Sequence, residues 1–494
     1  MYQQIEQAMF LPVSTIFSFA DLWTIISFTY TIFVVVTVVA VIAERREPVN
    51  ALAWIMVITM FPVGGMVLFL LLGKNYRKLR TFMQKELFDS ELINSMCGEQ
   101  LSDISHPDND AMPNKKFVRL MLNNSKSLLT LHNRVEILNN GEQTFPDMFE
   151  AMRGAQKFIH IEFFAIEGGQ LFDELIEVLD DRIAHGVDVR IIYDSVGSRN
   201  LRRRDLRRLK ATGADVRSFM PVFIARFTDK VNYRNHRKIV VIDGEVGYTG
   251  GVNIADRYIK GVRSGIWRDT HLRIEGEAVA MLQTVFATDW NFVTDGEMLT
   301  DEYFYHYSKV DSIVPLQVAT SGPDSPYASI MQAYFAAIGK AEKYIYVSTP
   351  YLLPNQAIVT ALRVAALGGV DVRILIPVRG DNLFVAWAGY SYVDALMEAG
   401  VKVYLYNKGF NHSKFLIIDD EISSVGSANL DHRSFNDDFE IQAIIYDSNL
   451  TRKLRDSFMA DIADSSEITP DNWQQRSRWS KIMEPIARLL APLF

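Results

Sequence analysis

One eighteen-residue phrase occurs twice in this chain, and that repetition limits the possible folds more than any bulk property does. HRKIVVIDGEVGYTGGVN begins at His236 and HSKFLIIDDEISSVGSAN at His412. Both follow one template: His, any residue, Lys, four residues, Asp, six residues, Gly then Gly or Ser, any residue, Asn. The fixed positions are His236, Lys238, Asp243, Gly250, Gly251 and Asn253, then His412, Lys414, Asp419, Gly426, Ser427 and Asn429. At residue frequencies of about 0.05 per position, five matches after a chosen His have odds on the order of 10⁻⁷. Two independent accidents do not explain this; duplication of one unit does.

The surroundings are duplicated as well. GVDVRI occupies 186–191 and again 369–374, and upstream KFIHIEFF from Lys157 answers KYIYVSTPY from Lys343. These apolar, β-branched and aromatic runs read as strands. Between them lie LFDELIEVLDDRIAHG and AIVTALRVAALGG, which have helical apolar spacing and end at Gly. LRRRDLRRLKATG and YSYVDALMEAG then predict second helices, followed by the short strands DVRSF and VKVYLY. Strand, helix, strand, helix, strand and His-strand make an α/β unit present in two copies. A repeat spacing of about 180 residues indicates two fused domains, not a solenoid.

The spacing within the motif carries chemistry. His and Lys two apart on a strand share a face. IVVI and FLII are apolar enough for a strand buried in a sheet. The small Gly-Gly or Gly-Ser pair lets the backbone approach a ligand closely. Each copy therefore offers an imidazole, an ammonium and a carboxamide. That set suits a phosphodiester, whose two non-bridging oxygens accept charged and neutral hydrogen bonds. Lys stands where Mg²⁺ or Mn²⁺ would need carboxylates, so metal-free chemistry without a cofactor is expected. Asp243 and Asp419 belong to the motif and are grouped with the catalytic residues, although an Asp at a strand end commonly braces a turn.

These residues resemble the signature of the phospholipase D superfamily, from about residue 117 to the C-terminus. The resemblance implies two α/β sandwich halves, 117–310 and 311–494, facing each other across a pseudo-twofold axis with both motifs in one site. It implies that one His attacks phosphorus to form a phosphohistidine while the other serves as acid and base. By analogy with relatives, His236 is the nucleophile and His412 the acid and base. It also implies a carboxylate after each Asn that orients a His ring. Glu440 fits in the second half; in the first, where the matching stretch is five residues longer, Asp269 is the candidate. Asn253 and Asn429 are expected to bind phosphate or orient the His.

The N-terminus points to the substrate. Residues 22–43 and 51–73 contain no charge, and each run is long enough to span a bilayer as a helix. The linking ERREPVN makes 1–80 a predicted transmembrane hairpin. Arg45 and Arg46 in the loop, against Lys74, Arg77, Lys78, Arg80 and Lys85 after it, put the C-terminal bulk in the cytoplasm. Residues 81–116 read as a polar linker. The tail from Asp471 alternates apolar and basic residues, consistent with either an interfacial segment or a helix closing the core. The basic run Arg199–Lys210 reads as a solvated helix face, with lipid contact as a secondary reading. Net charge −8 argues against a nucleic-acid partner, and the single Cys97 excludes an intramolecular disulfide.

A membrane hairpin before two such halves resembles the layout of bacterial cardiolipin synthases, down to RREPVNALAWI, FPVGG, GGVNIADRYI and GSANLDHRSF. That resemblance implies an inner-membrane phosphatidyltransferase with phosphatidylglycerol as both donor and acceptor. A hydrolase of the same superfamily and a lipid-binding pseudoenzyme are the alternatives; intact motifs in both halves count against the latter.

Overall fold

The computed structural model describes residues 19–43, 48–61, 64–65, 69, 90–106, 114–221, 233–294, 296 and 307–489. The chain divides into two compact units, Met1–Arg80 with Ile224–Asp229, and Thr81–Phe223 with Lys230–Phe494.

In the smaller unit, Phe19–Ala43 forms one helix. Its stretch Trp23–Ala43 has 21 residues, is long and apolar enough to cross a membrane, and is the one such helix among the described residues. At about 1.5 Å per residue it is about 32 Å long, matching a hydrocarbon core of about 30 Å. The hydroxyls of Thr31 and Thr37 donate 2.8 Å bonds to the carbonyls one turn back, at Ser27 and Phe33, so the helix leaves these groups paired without water. Pro48–Met60 is also helical. Val41, Ile58 and Phe69 form a small buried cluster, with Trp54 edge-on to Phe69 at 5.4 Å. The rest of the expected second span lies mainly outside the described residues, as do all seven basic flanking residues.

The larger unit holds two large sheets, of seven and nine strands, that share one order over seven strands. The first runs, in spatial order, Asn133–Asn139, Thr270–Gly276, Val246–Gly250, Lys238–Ile242, Phe158–Phe163, Asp188–Asp194 and Asp215–Phe219. The second repeats this order as Leu316–Ser321, Glu440–Ile445, Ile422–Gly426, Phe415–Ile418, Tyr344–Ser348, Asp371–Pro377 and Lys402–Tyr406. Each motif strand sits at the centre, antiparallel to both neighbours. Alternation along it feeds two cores. Ile239 and Val241 join Phe415 and Ile417 in a central layer shared by both sheets. Val240 and Ile242 face the first half's outer helices, and Leu416 and Ile418 those of the second. The helices that follow the carboxylate-bearing strands, Glu277–Val293 and Ser448–Ala463, contribute Ala278, Leu282, Leu450 and Phe458 to the shared layer.

Chain order and spatial order part company before the first half. The helix Lys115–Ser125 buries Phe117 and Met121 in the second half's core, and Leu129–Thr130 pairs with Leu316 and Gln317 at that sheet's edge. The predicted linker also contains a helix, Ser90–Ser105. The basic run forms the helix Arg203–Ala211, whose arginines are mostly exposed, as a solvated face would be.

Candidate active site

His236 and His412 occur just before their motif strands, where the two sheets meet. The carboxylate that each ring contacts comes from the opposite half. His236 Nδ1 lies 2.9 and 3.1 Å from the two Glu440 oxygens, and His412 Nδ1 lies 2.7 Å from Asp269 Oδ2. The backbone repeats the exchange: His236 N–H donates to Phe439 O at 2.9 Å and His412 N–H to Arg268 O at 2.7 Å. Each imidazole is thus fixed at two points by the other half. A carboxylate accepts only, so His236 Nδ1 carries the hydrogen and its Nε2 is left for the cavity; His412 Nδ1 meets both the Asp269 carboxylate and, at 2.9 Å, the Lys414 ammonium, which can only donate.

Both imidazoles line one cavity of about 810 Å³, together with Asn253, Asn429 and aromatic walls of Phe164, Tyr258, Trp267 and Tyr351. Phe164 meets His236 edge-on at 4.8 Å, and Trp267 lies 5.3 Å from His412. Lys238 and Lys414 are fully buried beside the rings, each donating to its own motif His carbonyl. Burial lowers Lys238 to about 7 against the pull of Glu440, and Lys414 to about 8 against that of Asp269. Burial also lowers His236, opposed by Glu440. It lowers His412 well below the usual imidazole value, with Lys414 and Lys238 adding to the effect.

The two carboxylates differ. Burial raises Asp269 to about 6, with Lys414 opposing. Burial also raises Glu440, but His236, its hydrogen bond and Lys238 outweigh that and leave it below the usual value. Ser427 adds a hydroxyl that donates to Glu440 Oε2. At the matching place in the first half, a Cβ on Gly251 would lie 1.9 Å from Asp269 Oδ1. The Gly-Gly and Gly-Ser pairs, expected to admit a ligand, thus make room for, or hold, the carboxylate. The five extra residues before Asp269 accompany the strand Ile266–Arg268, which pairs in parallel with Gly409–Asn411 of the other half and brings Trp267 to His412.

The remaining predicted residues fall elsewhere. Asp243 accepts from the backbone N–H groups of Gln156, Lys157 and Phe158, and Asp419 from those of Glu342, Lys343 and Tyr344. Seven residues of extended chain put each about 23 Å from its His. Both oxygens of each are committed to backbone N–H groups, the bracing role that an Asp at a strand end offers. The Asn253 amide is engaged on both sides, accepting from Ala165 N–H and donating to the Tyr258 hydroxyl. Asn429 lines the cavity, and its Oδ1 has no hydrogen-bond partner among the described residues.

Sequence reasoning missed Asn235 and Asn411, which are buried immediately before each His. Asn235 donates to Glu162 at 2.5 Å and Asn411 to Ser348 at 2.9 Å, from equivalent places on the neighbouring strand. The signal was present, since both copies read Asn-His-x-Lys. Tyr258, 3.5 Å from His412 Nδ1, has no counterpart in the repeat to mark it.

Known proteins carry the same architecture. The family model described as "Cardiolipin synthase, PLD-like domain" matches residues 148–290 and 334–462, one segment per half. The chain belongs to the cardiolipin synthase family. The phospholipase D-nuclease N-terminal model matches residues 30–74. Cardiolipin synthase 2 of Staphylococcus epidermidis is 40% identical over 464 residues, 92% of this chain and 94% of that protein. Cardiolipin synthase of Staphylococcus aureus is 39% identical over 458 residues, 91% and 92% of the two chains. Phosphatidylserine synthase of Haemophilus influenzae shares the fold at a TM-score of 0.55 and 16% identity, over 76% of this chain and 96% of its own. The family's N-terminal model and the apolar helix together associate the chain with membranes.

Proposed function

We propose that the protein is a cardiolipin synthase that transfers a phosphatidyl group from one phosphatidylglycerol to another, releasing glycerol. The observation that carries this reading is the pair of imidazoles lining one cavity, each oriented by the opposite half's carboxylate.

His236 Nε2 attacks phosphorus as the bond to the leaving glycerol oxygen breaks, and His412 gives that oxygen its proton. The terminal hydroxyl of the second lipid then gives its proton to His412 and attacks phosphorus, breaking the P–N bond. Lys238 and Lys414 offset charge on the non-bridging oxygens, with Asn429 beside them. The bound phosphodiester's negative charge favours a proton on one ring despite burial. His236 is assigned as nucleophile because its partner Glu440 stays ionised and is held by Ser427. Transfer wins over hydrolysis only when the second lipid's hydroxyl reaches the intermediate ahead of water. The cations of the site are side chains, Lys238 and Lys414 behind the rings and Arg257 and Arg433 on the cavity wall, so turnover should persist in EDTA.

The residues before 81 form a hairpin in the inner membrane with the catalytic unit on the cytoplasmic side, on the strength of the basic flanks. Full-chain protein given phosphatidylglycerol should yield cardiolipin and glycerol in equal amounts. His236→Ala and His412→Ala should each abolish both products. Phosphatidic acid as the main product would replace the transferase reading with a hydrolase.

A further inference from the structure

The tail helix Arg478–Leu489 turns an apolar stripe outward. Trp479, Ile482, Ile486 and Leu489, spaced by three, four and three residues, are 63, 56, 47 and 80% exposed. Its opposite side is anchored: Glu484 and Ala487 are buried, and Arg476 ties Glu484 to Asp394. The helix packs against Leu383–Tyr390, whose first turn adds exposed Leu383 and Phe384. That turn is also the rim of the catalytic cavity, since Asp381, Asn382 and Val385 line it. Arg478 and Lys481 are exposed at the Trp479 end of the helix, whereas Arg488 stacks over the Tyr392 ring at 4.4 Å.

We propose that this face, made of the outer stripe of Arg478–Leu489 and the first turn of Leu383–Tyr390, docks on an anionic lipid surface and presents the cavity mouth to it. Two properties select a bilayer over another occupant. An exposed apolar stripe with Trp and basic residues at one end is the pattern of a helix lying in a bilayer interface. The cavity, about 810 Å³, accommodates headgroups at the imidazoles but not the acyl chains of two lipids. Each methylene drawn from the bilayer into water opposes transfer, so a mouth lying against the bilayer lets the chains stay in it. The helix thus fills both roles open to the tail, closing the core with one face and meeting lipid with the other. This inference rests on the lipid-transfer reading.

The test uses full-chain protein reconstituted in vesicles of phosphatidylcholine with phosphatidylglycerol. A fluorophore on Ile482→Cys should be quenched by lipids brominated in the acyl chain, while one on Glu177→Cys, exposed on the helix Gln170–Ala184, should not. Cys97, 1% exposed, is shielded from the label. Absence of quenching at 482 overturns the proposal, as does quenching there by a labelled second copy in place of lipid. In the kinetic arm, the double substitution Ile482→Ser with Ile486→Ser should raise the interfacial KM for vesicle phosphatidylglycerol about tenfold. Turnover of monomeric dihexanoyl-phosphatidylglycerol should change less than twofold. Unchanged vesicle kinetics overturn the surface. A wild type inactive on both substrates overturns the transfer reading, while the quenching result still decides the docking face.

Discussion

Replacing Glu440 with Gln tests the exchange of carboxylates between the halves most directly. Glu440 is buried, touches His236 Nδ1 at 2.9 Å and faces no other imidazole at hydrogen-bond distance among the described residues. A unit-charge pair at 2.9 Å in an effective dielectric of about 20 interacts by about 6 kcal/mol. That is an upper bound, because a neutral amide is easier to bury than a carboxylate. Half of it, about 3 kcal/mol, slows turnover by roughly 10²–10³ at 1.36 kcal/mol per tenfold. The expected result is a kcat lower by that factor, with KM within a few-fold, in a phosphatidylglycerol-to-cardiolipin assay. Nitrogen NMR on labelled histidine gives a second readout. Glu440→Gln should lower the His236 pKa further, since the charge that opposes burial is gone, and leave the His412 signal in place. Asp269→Asn should do the reverse. If Glu440→Gln disturbs His412 while His236 keeps its tautomer and pKa, the cross-half pairing is refuted.

Removing the Ser427 hydroxyl (Ser427→Ala) leaves a Glu440 oxygen short of a donor and should cost roughly 1–3 kcal/mol of the oriented state, read as a 10- to 100-fold lower kcat. Gly251→Ser, by contrast, should displace Asp269 outright and lower both activity and melting temperature, because even its Cβ has no room. Asp243→Ala strands three backbone N–H groups and should destabilise the fold by about 2–4 kcal/mol in thermal denaturation, with kcat per folded molecule unchanged. A large loss of kcat at full stability would keep Asp243 in the catalytic set. The pH profile of kcat/KM should be a narrow bell. As pH falls through about 6, Asp269 protonates and His412 loses its anionic partner. As pH rises through about 7 and 8, Lys238 and then Lys414 lose the charge that meets the phosphate. In kcat the alkaline limb should move upward, because a bound phosphodiester favours the ammonium forms. A profile flat from pH 5 to 9 would contradict these assignments.

Much of the architecture was legible because it is written in local periodicities and then written twice. The run His-x-Lys followed by four apolar residues specifies a central strand wherever it folds, and the duplicated KFIHI and VDVRI runs specify the next two strands on one side of it. Hence the two sheets share one strand order. The helix Lys115–Ser125 escaped this logic. Nothing local tells an amphipathic helix which of two similar cores will receive Phe117 and Met121.

The same limit applies at the site. The sequence alone determined the inventory: two imidazoles, two ammonium groups and a candidate carboxylate after each motif, with an uncharged N-terminal segment favouring a lipid substrate. Only the tertiary structure decided the pairing, giving Glu440 to His236 and Asp269 to His412. It also removed Asp243 and Asp419 from the rings and gave Ser427 and Gly251 their unequal tasks. The physical reason is that strand and helix periods are set by neighbours along the chain, whereas a hydrogen-bond partner is set by which surfaces are buried together. In a duplicated chain both halves offer the same surfaces, so only their packing distinguishes a partner in the same half from one across the axis.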